Sequence, residues 1–264
     1  MLVVIKKILN TLLKIFNLQI VNRLSYKKLL IEQDKFLAYS LFNISDVKSL
    51  DYFKYLNLSK SQLKQDLFVL NECKFKKKGY FVEIGATDGI RFSNTYLLEK
   101  ELKWTGILCD PARIWHTKLK QNRSSFIDKG CVWSVSGKSL VFNEVEGGDQ
   151  LGELSTIDSY SNSDYMAHFR KKYSKKYNVE TITLNDLLKK YNAPNEIDYL
   201  SIDTEGSEYD ILKSFNFEKY NIKIITCEHN HSVMREKIFS LLSSKGYKRK
   251  YSEFSRYDDW YIRQ

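Results

Sequence analysis

The segment Phe81-Val82-Glu83-Ile84-Gly85-Ala86-Thr87-Asp88-Gly89 constrains this 264-residue chain more than any other. An apolar run ends on a glycine, a short polar turn follows, and a second glycine closes it. This is how a strand delivers its carboxyl end to a tight turn whose backbone lies close to a ligand. Around it, short apolar runs alternate with amphipathic stretches. Strands are expected at Tyr80 to Ile84, Thr105 to Cys109, within Ser125 to Trp133, at Tyr199 to Ile202 and at Lys223 to Cys227. Helices are expected at Thr95 to Leu102, Ile114 to Asn122, Thr183 to Tyr191, Tyr209 to Ser214 and Ser232 to Ser244. Ser139 to Val145 reads as an added strand, and Tyr247 to Phe254 with Trp260 to Arg263 as a closing antiparallel pair. The pattern implies an α/β fold: a mostly parallel seven-stranded sheet with an antiparallel closing strand and helices on both faces. Right-handed crossovers place the parallel strands' carboxyl ends along one edge.

The chemistry of the turn narrows the ligand. Dinucleotide sites use three glycines because a pyrophosphate needs bare amides. Here the third glycine is missing, and Glu83 and Asp88 would repel a pyrophosphate. These acids suit a cationic cofactor with an amino group, which describes S-adenosylmethionine (SAM). The next strand ends at Asp110-Pro111, about twenty residues on, where an acid can accept hydrogen bonds from ribose hydroxyls. Gly85, Ala86, Thr87, Gly89, Asn94, Asp128 and Cys131 complete the expected cofactor set.

A second dense stretch runs from Ile197 to Glu208. Its strand delivers Asp203 to the same edge, with Glu205 and Glu208 within one turn and Gly206 allowing a tight exit. Acids at a helix start also satisfy orphan amides, a reading that suits Glu208. The following strand ends in Glu228-His229-Asn230-His231. If the two strands are neighbours, His229 lies across from Asp203. Together with Glu205, the pair would deprotonate a substrate hydroxyl in line with the methyl group. Asp203, Glu228 and His229 could instead hold a divalent metal, although a metal-free base is the preferred reading.

The net charge of +10 admits nucleic acid, an anionic membrane or acidic substrates. The basic residues are scattered, apart from Lys76-Lys77-Lys78 and the stretch Arg170 to Lys176. No nucleic-acid-binding motif is present, so a nucleic-acid partner is not expected. Cys73, Cys109, Cys131 and Cys227 form no CxxC pair and read as buried thiols in a reducing cytoplasm.

Residues 1–60 contain no Gly or Pro and read as a basic, mostly helical extension. Within it, residues 1–18 place Ile5, Ile8, Leu9, Leu12, Leu13 and Phe16 on one helical face and Lys6, Lys7 and Lys14 on another. Two readings stand: a helix lying on the inner face of the plasma membrane, or a helix docked on the protein's own body. The domain proper spans 61–264, with an insertion at about 146–179. Aromatics and cations in the insertion, among them Tyr165, His168 and Arg170, could stack on a sugar and hold an anion. Glu208 joins them as a substrate-binding candidate. The competing reading of the insertion is a solvated helix.

Taken in order, FVEIGATDG, SNTYLLEKE, WTGILCDPA, LSTIDSYSNSD, TLNDLL, IDYLSIDTEGSEYDIL, ITCEHN and DDWY resemble the FkbM-type SAM-dependent methyltransferase family, over roughly residues 61–262. The resemblance implies a class I, Rossmann-like methyltransferase fold and O-methylation, often of sugars or natural products. Glu83, Gly85, Thr87, Asp88 and Gly89 match the family's cofactor loop. Asp110 stands where relatives usually carry Glu. Asp203, Glu205, Gly206 and Glu208 match its D-x-E-G-x-E stretch, and His229 its strand-end histidine. The expected substrate is a sugar hydroxyl in a bacterial surface polysaccharide or its precursor. Rival readings are methylation of a phosphoramidate, an amine or a small lipid, and a non-catalytic protein that binds a glycan or partner.

Overall fold

The run Tyr80–Ile84 becomes a central strand because both of its faces are covered, which is why it reads as near-continuous hydrophobic sequence, broken only by Glu83, rather than alternation. The computed structural model describes residues 50–146, 152–162 and 166–264, all within the compact unit Val47–Gln264. The expected helix over residues 1–18 lies outside the described residues.

In chain order the elements are α1 (Leu50–Leu58), α2 (Gln65–Glu72), β1 (Tyr80–Ile84), α3 (Tyr96–Leu102), β2 (Thr105–Cys109), α4 (His116–Asn122) and β3 (Phe126–Asp128). There follow β4 (Cys131–Val132), β5 (Ser139–Val145), β6 (Thr156–Ile157), α5 (Ala167–Tyr173), β7 (Ser174–Ile182), α6 (Leu184–Lys190) and β8 (Glu196–Ile202). The chain closes with α7 (Glu208–Lys213), β9 (Asn221–Glu228), α8 (Met234–Ser244), β10 (Tyr247–Lys250) and β11 (Asp258–Arg263). Among the described residues no helix is long and apolar enough to cross a membrane.

The main sheet has seven strands in the order β10-β11-β9-β8-β1-β2-β3. β3, β2, β1, β8 and β9 are parallel neighbours. β11 runs antiparallel to both β9 and β10. This is the expected class I architecture, with the antiparallel strand slotted between β9 and β10. The chain leaves β1 towards β2 on one side, and β8 returns on the other. The carboxyl ends of β1 and β8 therefore flank a switch point, where α/β sheets open a ligand crevice. Ile84, Ile107, Leu200, Ile202 and Ile225 pack in the core beneath it.

Two features depart from the sequence reading. The expected third strand, Ser125 to Trp133, splits: β3 extends the main sheet, whereas β4 joins a second sheet of order β4-β7-β5-β6. The insertion is also more than a solvated helix. It contains the short α5 and ends in the nine-residue strand β7, which pairs antiparallel with β5 from Ser139↔Glu180 to Val145↔Ser174. In β7 the buried Val179 and Thr181 alternate with the exposed Asn178 and Glu180, a period-two signal present in the sequence.

Gly85 is required where β1 meets β8. Its φ is +86°, and a Cβ there would lie 1.8 Å from the Asp203 carbonyl oxygen. Asp203 N donates to Ile84 O at 3.0 Å, so that contact belongs to the strand pairing itself. Gly85→Ala is expected to destabilise the fold by more than the about 1–3 kcal/mol of an unfavourable backbone region, because the overlap forces the two strand ends apart. Urea unfolding checks this; a loss below that range would mean that the strand ends separate freely.

Candidate functional site

The carboxyl edge of the main sheet and the second sheet enclose a cavity of about 470 Å³. One wall is apolar. Ala112, Trp115, Cys131, Phe142 and Ile157 form a small cluster of their own, and all five line the cavity. Gly152 closes against this wall, where a Cβ would meet the Trp115 ring at 2.6 Å.

Next to the apolar wall, the end of β2 presents Asp110. Its Oδ2 accepts from Thr87 N and its Oδ1 from Ala112 N, both at 2.8 Å. Thr87 reaches that carboxylate from a φ of +47°, an uncommon position for a β-branched residue that the loop imposes. Burial drives the Asp110 carboxyl up to about 7, against the stabilising amide bonds.

Glu83 also lines the cavity, but its oxygens are taken. Asn94 N donates to Oε1 at 2.6 Å, and Ser93 Oγ and Thr95 Oγ1 donate to Oε2 at 2.9 and 2.6 Å. Beneath this knot lies Arg123, 5% exposed, which the sequence reading missed. Its guanidinium bonds Glu99 Oε2, Gly89 O, Ser93 Oγ and Thr95 Oγ1, and lies 3.5 Å from Glu83 Oε2. Asn94 Nδ2 donates to Ser201 Oγ, which leaves Asn94 Oδ1 a buried acceptor without a donor, in a residue that lines the cavity. Asp88 folds into its own turn, accepting from Ile90 N and Arg91 N, and does not line the cavity. Ala86 and Gly89 shape the loop from behind. Asp128 points elsewhere, bonded to Lys190 Nζ at 2.6 Å and Gly130 N. Burial alone would raise its carboxyl, but these bonds hold it below the usual range.

The far side of the cavity is acidic. Asp203 directly follows β8 and lines the cavity. Asp203, Glu205 and Glu228 bring carboxylate oxygens within 4.8 Å of one another. Burial raises the Asp203 carboxyl, opposed by its hydrogen bond to Glu228. Burial and then the charge of Asp203 raise Glu228 well above the ordinary range. Oε2 of Glu228 has no hydrogen-bond partner among the described residues. Glu205, at φ +59°, pairs with Arg170 Nη2 at 2.7 Å.

Arg170 is therefore not a cation offered to substrate. It is fully buried, and its Nε donates to Leu154 O. Thr156 Oγ1 adds bonds to Thr204 O and Glu205 O, so the second sheet clamps the acidic loop. Glu208 is consumed by that same loop, accepting from Thr204 N, Thr204 Oγ1 and Gly206 N. His168 is exposed and stacks on Phe169, and it is Phe169 and Met166 that reach the cavity. Tyr165 lies outside the described residues.

β8 and β9 are neighbours, as the Asp203–His229 pairing requires, yet the His229 ring turns away from the cavity. Its Nε2 lies 3.7 Å from Asp259 Oδ1, and its Nδ1 accepts from His231 N. Burial lowers the imidazole to about 4. Asp259 in turn is held by Arg235 and Arg249. The carboxylate set around Asp203 is completed by Glu205 and Glu228, with Asp258 from β11 on the same cavity. Asp258 Oδ2 accepts from Gln65 Nε2 at 2.6 Å, and burial raises its carboxyl to about 8. Asp258 belongs to the DDWY segment of the resemblance and Gln65 to its wider span, but neither stood out as a site residue.

The chain matches the methyltransferase FkbM domain over residues 83–249, more than half its length, and belongs to that family. No curated protein matches it. Among solved structures it is similar to precorrin-6y C5,15-methyltransferase from Geobacter metallireducens GS-15. That likeness has 10% identity and a TM-score of 0.38, and covers 75% of this chain and 85% of the other.

The buried acids give stability a characteristic pH dependence. Asp110, Glu153 and Asp258 are raised to about 7, 7 and 8. Above pH 6.5 the protons these three acids retain outnumber those that the lowered His116 and His229 give up on folding, so the native state holds more protons than the unfolded chain. Stability therefore falls as pH rises from 6.5 to 8.5, and Asp258→Asn should flatten the fall. Melting temperatures across that range test it, and a rising melting temperature would contradict the assigned protonation.

Proposed function

We propose that the protein transfers a methyl group from SAM to a sugar hydroxyl in a surface polysaccharide or its precursor. The observation that carries this reading is Asp203, a carboxylate that lines the cavity with no ion-pair partner among the described residues, at the switch point next to the Gly85 loop.

Membership of the family implies SAM as methyl donor, and the residues present fit it. The wall around Trp115 and Phe142 would take the adenine. Asp110 spends one lone pair of each oxygen on backbone amides and keeps the others for ribose hydroxyls. Asn94 Oδ1 would accept from the ammonium of the methionine arm. When bound, the cofactor supplies an electrophilic methyl on a sulfonium sulfur that departs as a neutral thioether.

The chain's own part is to hold the hydroxyl and take its proton. Burial raises both carboxyls, Glu228 further than Asp203, so Asp203, the lower of the two at about 6, serves as the base. Asp203 accepts the hydroxyl proton while the oxygen forms its bond to the methyl carbon. The Arg170–Glu205 pair holds the loop that carries Asp203. His229 has no direct part, because its ring faces Asp259.

Calorimetric titration with SAM and S-adenosylhomocysteine should show binding that Asp110→Ala weakens. Absence of binding by folded protein would overturn the reading. Asp203→Asn should retain S-adenosylhomocysteine binding and lose about 10²–10⁴-fold in turnover, the usual contribution of a general base. In the wild type, kcat/KM should fall below pH about 6 as Asp203 protonates. Transfer to nitrogen needs no base, so a nearly unaffected Asp203→Asn rate would point away from a hydroxyl acceptor.

A further inference from the structure

We propose that the acceptor carries a protonated amine, and that Glu228 and Asp258 bind it at the β9–β11 end of the cavity. This rests on the reading of the cavity as a methyl-transfer site and narrows its acceptor to an amino sugar.

The argument begins with charge. Among the carboxylates that line the cavity, Glu83 lies against Arg123, Glu205 is paired with Arg170 and Glu153 with Arg91. Asp110, Asp203, Glu228 and Asp258 have no ion-pair partner among the described residues. Burying acids without compensation is costly, and such groups gather where a ligand completes them. Asp110 is tied by two backbone amides, and Asp203 is the base. Glu228 and Asp258 are left over. Glu228 is 8% exposed, and its Oε2 meets no donor although the residue lines the cavity.

Position separates these two acids from the cofactor. Neighbouring strands lie about 4.8 Å apart. From β2, which carries Asp110, the strand order counts three steps to β9 and four to β11. Glu228 and Asp258 thus stand roughly 14 and 19 Å along the edge. The methionine arm has five bonds from ribose C5′ to its ammonium, which at about 1.5 Å each project to roughly 6–7 Å. That reaches the β1–β8 region, where Asn94 sits on Ser201, and stops short of β11. The acidic end is therefore the acceptor's.

An ammonium has three donors and no acceptor, which complements carboxylate oxygens with none to offer. Gln65 fixes Asp258 from one side through its carboxamide nitrogen, so that acid is oriented before any ligand arrives. A neutral hydroxyl would leave the excess of acid uncompensated.

The test uses the full-length protein saturated with S-adenosylhomocysteine. D-Glucosamine, D-galactosamine and D-mannosamine are titrated beside their N-acetyl forms and the parent hexoses. At least one amino sugar should bind about 10–100-fold more tightly than both of its counterparts, as a charge-assisted hydrogen bond allows. Asp258→Asn should shrink that preference while S-adenosylhomocysteine still binds. Equal affinity for the three forms, or no binding of any sugar, would overturn the proposal and leave the methyl-transfer reading standing. Failure of S-adenosylhomocysteine to bind the wild type would instead remove the methyl-transfer reading itself.

Discussion

The crowding of carboxylates along one sheet edge is the constraint around which the molecule is arranged. Parallel strands deliver Glu83, Asp110, Asp128, Asp203 and Glu228 to the same edge, and β11 adds Asp258 and Asp259. Like charges so close cannot all ionise in a buried place unless cations are brought to them. Arg123 serves Glu83 and Glu99, Lys190 serves Asp128, Arg170 serves Glu205, and Arg235 with Arg249 serve Asp259. Glu208 is satisfied by the amides of its own loop. Among the described residues, the acids that line the cavity without a cation partner are Asp110, Asp203, Glu228 and Asp258. The unbalanced charge is thereby confined to the place where a ligand can meet it.

The same balance explains local conformations that would otherwise be unfavourable. Thr87 and Glu205 hold positive φ because each sits in a loop fixed from both sides. Thr87 is drawn to the Asp110 carboxylate on one side, and its loop rests on Arg123 on the other. Glu205 is bonded by Arg170 and by Asn230, and its carbonyl by Thr156. The insertion supplies two of these groups, since Arg170 lies on α5 and Thr156 on β6. The insertion is thus part of the site's frame rather than a decoration on it.

The resulting cavity changes character along its length, from Trp115 and Phe142 at one end, through Asp110 and Asp203, to Glu228 and Asp258 at the other. An aromatic base, a ribose and a cationic sulfur follow the same order in the family's methyl donor. In the proposed reading the acceptor takes the acidic end, with the general base at the middle and the charge-selective pocket beyond it.

The periodicity of the chain was enough to establish the α/β class, the parallel core and the closing antiparallel pair. Short apolar runs buried on both faces have few alternatives, and the Gly85 loop and the strand-end acids mark the carboxyl edge by their chemistry. Asp203 and Asp110, with Glu228 as a possible metal ligand, could therefore be singled out as candidates from the sequence, and all three line the cavity. Periodicity could not say which way a side chain turns once its strand has ended. His229 sits beside Asp203's strand in sequence logic, yet its ring goes to Asp259, because that acid comes from a strand antiparallel to β9 whose register only the fold supplies. Arg170 read as one cation in an exposed basic run, and the fold buried it against Glu205. Arg123 and the Gln65–Asp258 contact join residues far apart in the chain, and no local pattern encodes them. Local hydrophobic and turn chemistry thus determined the elements and their edge, whereas the pairing of charges across elements, which decides what each acid does, required the tertiary structure.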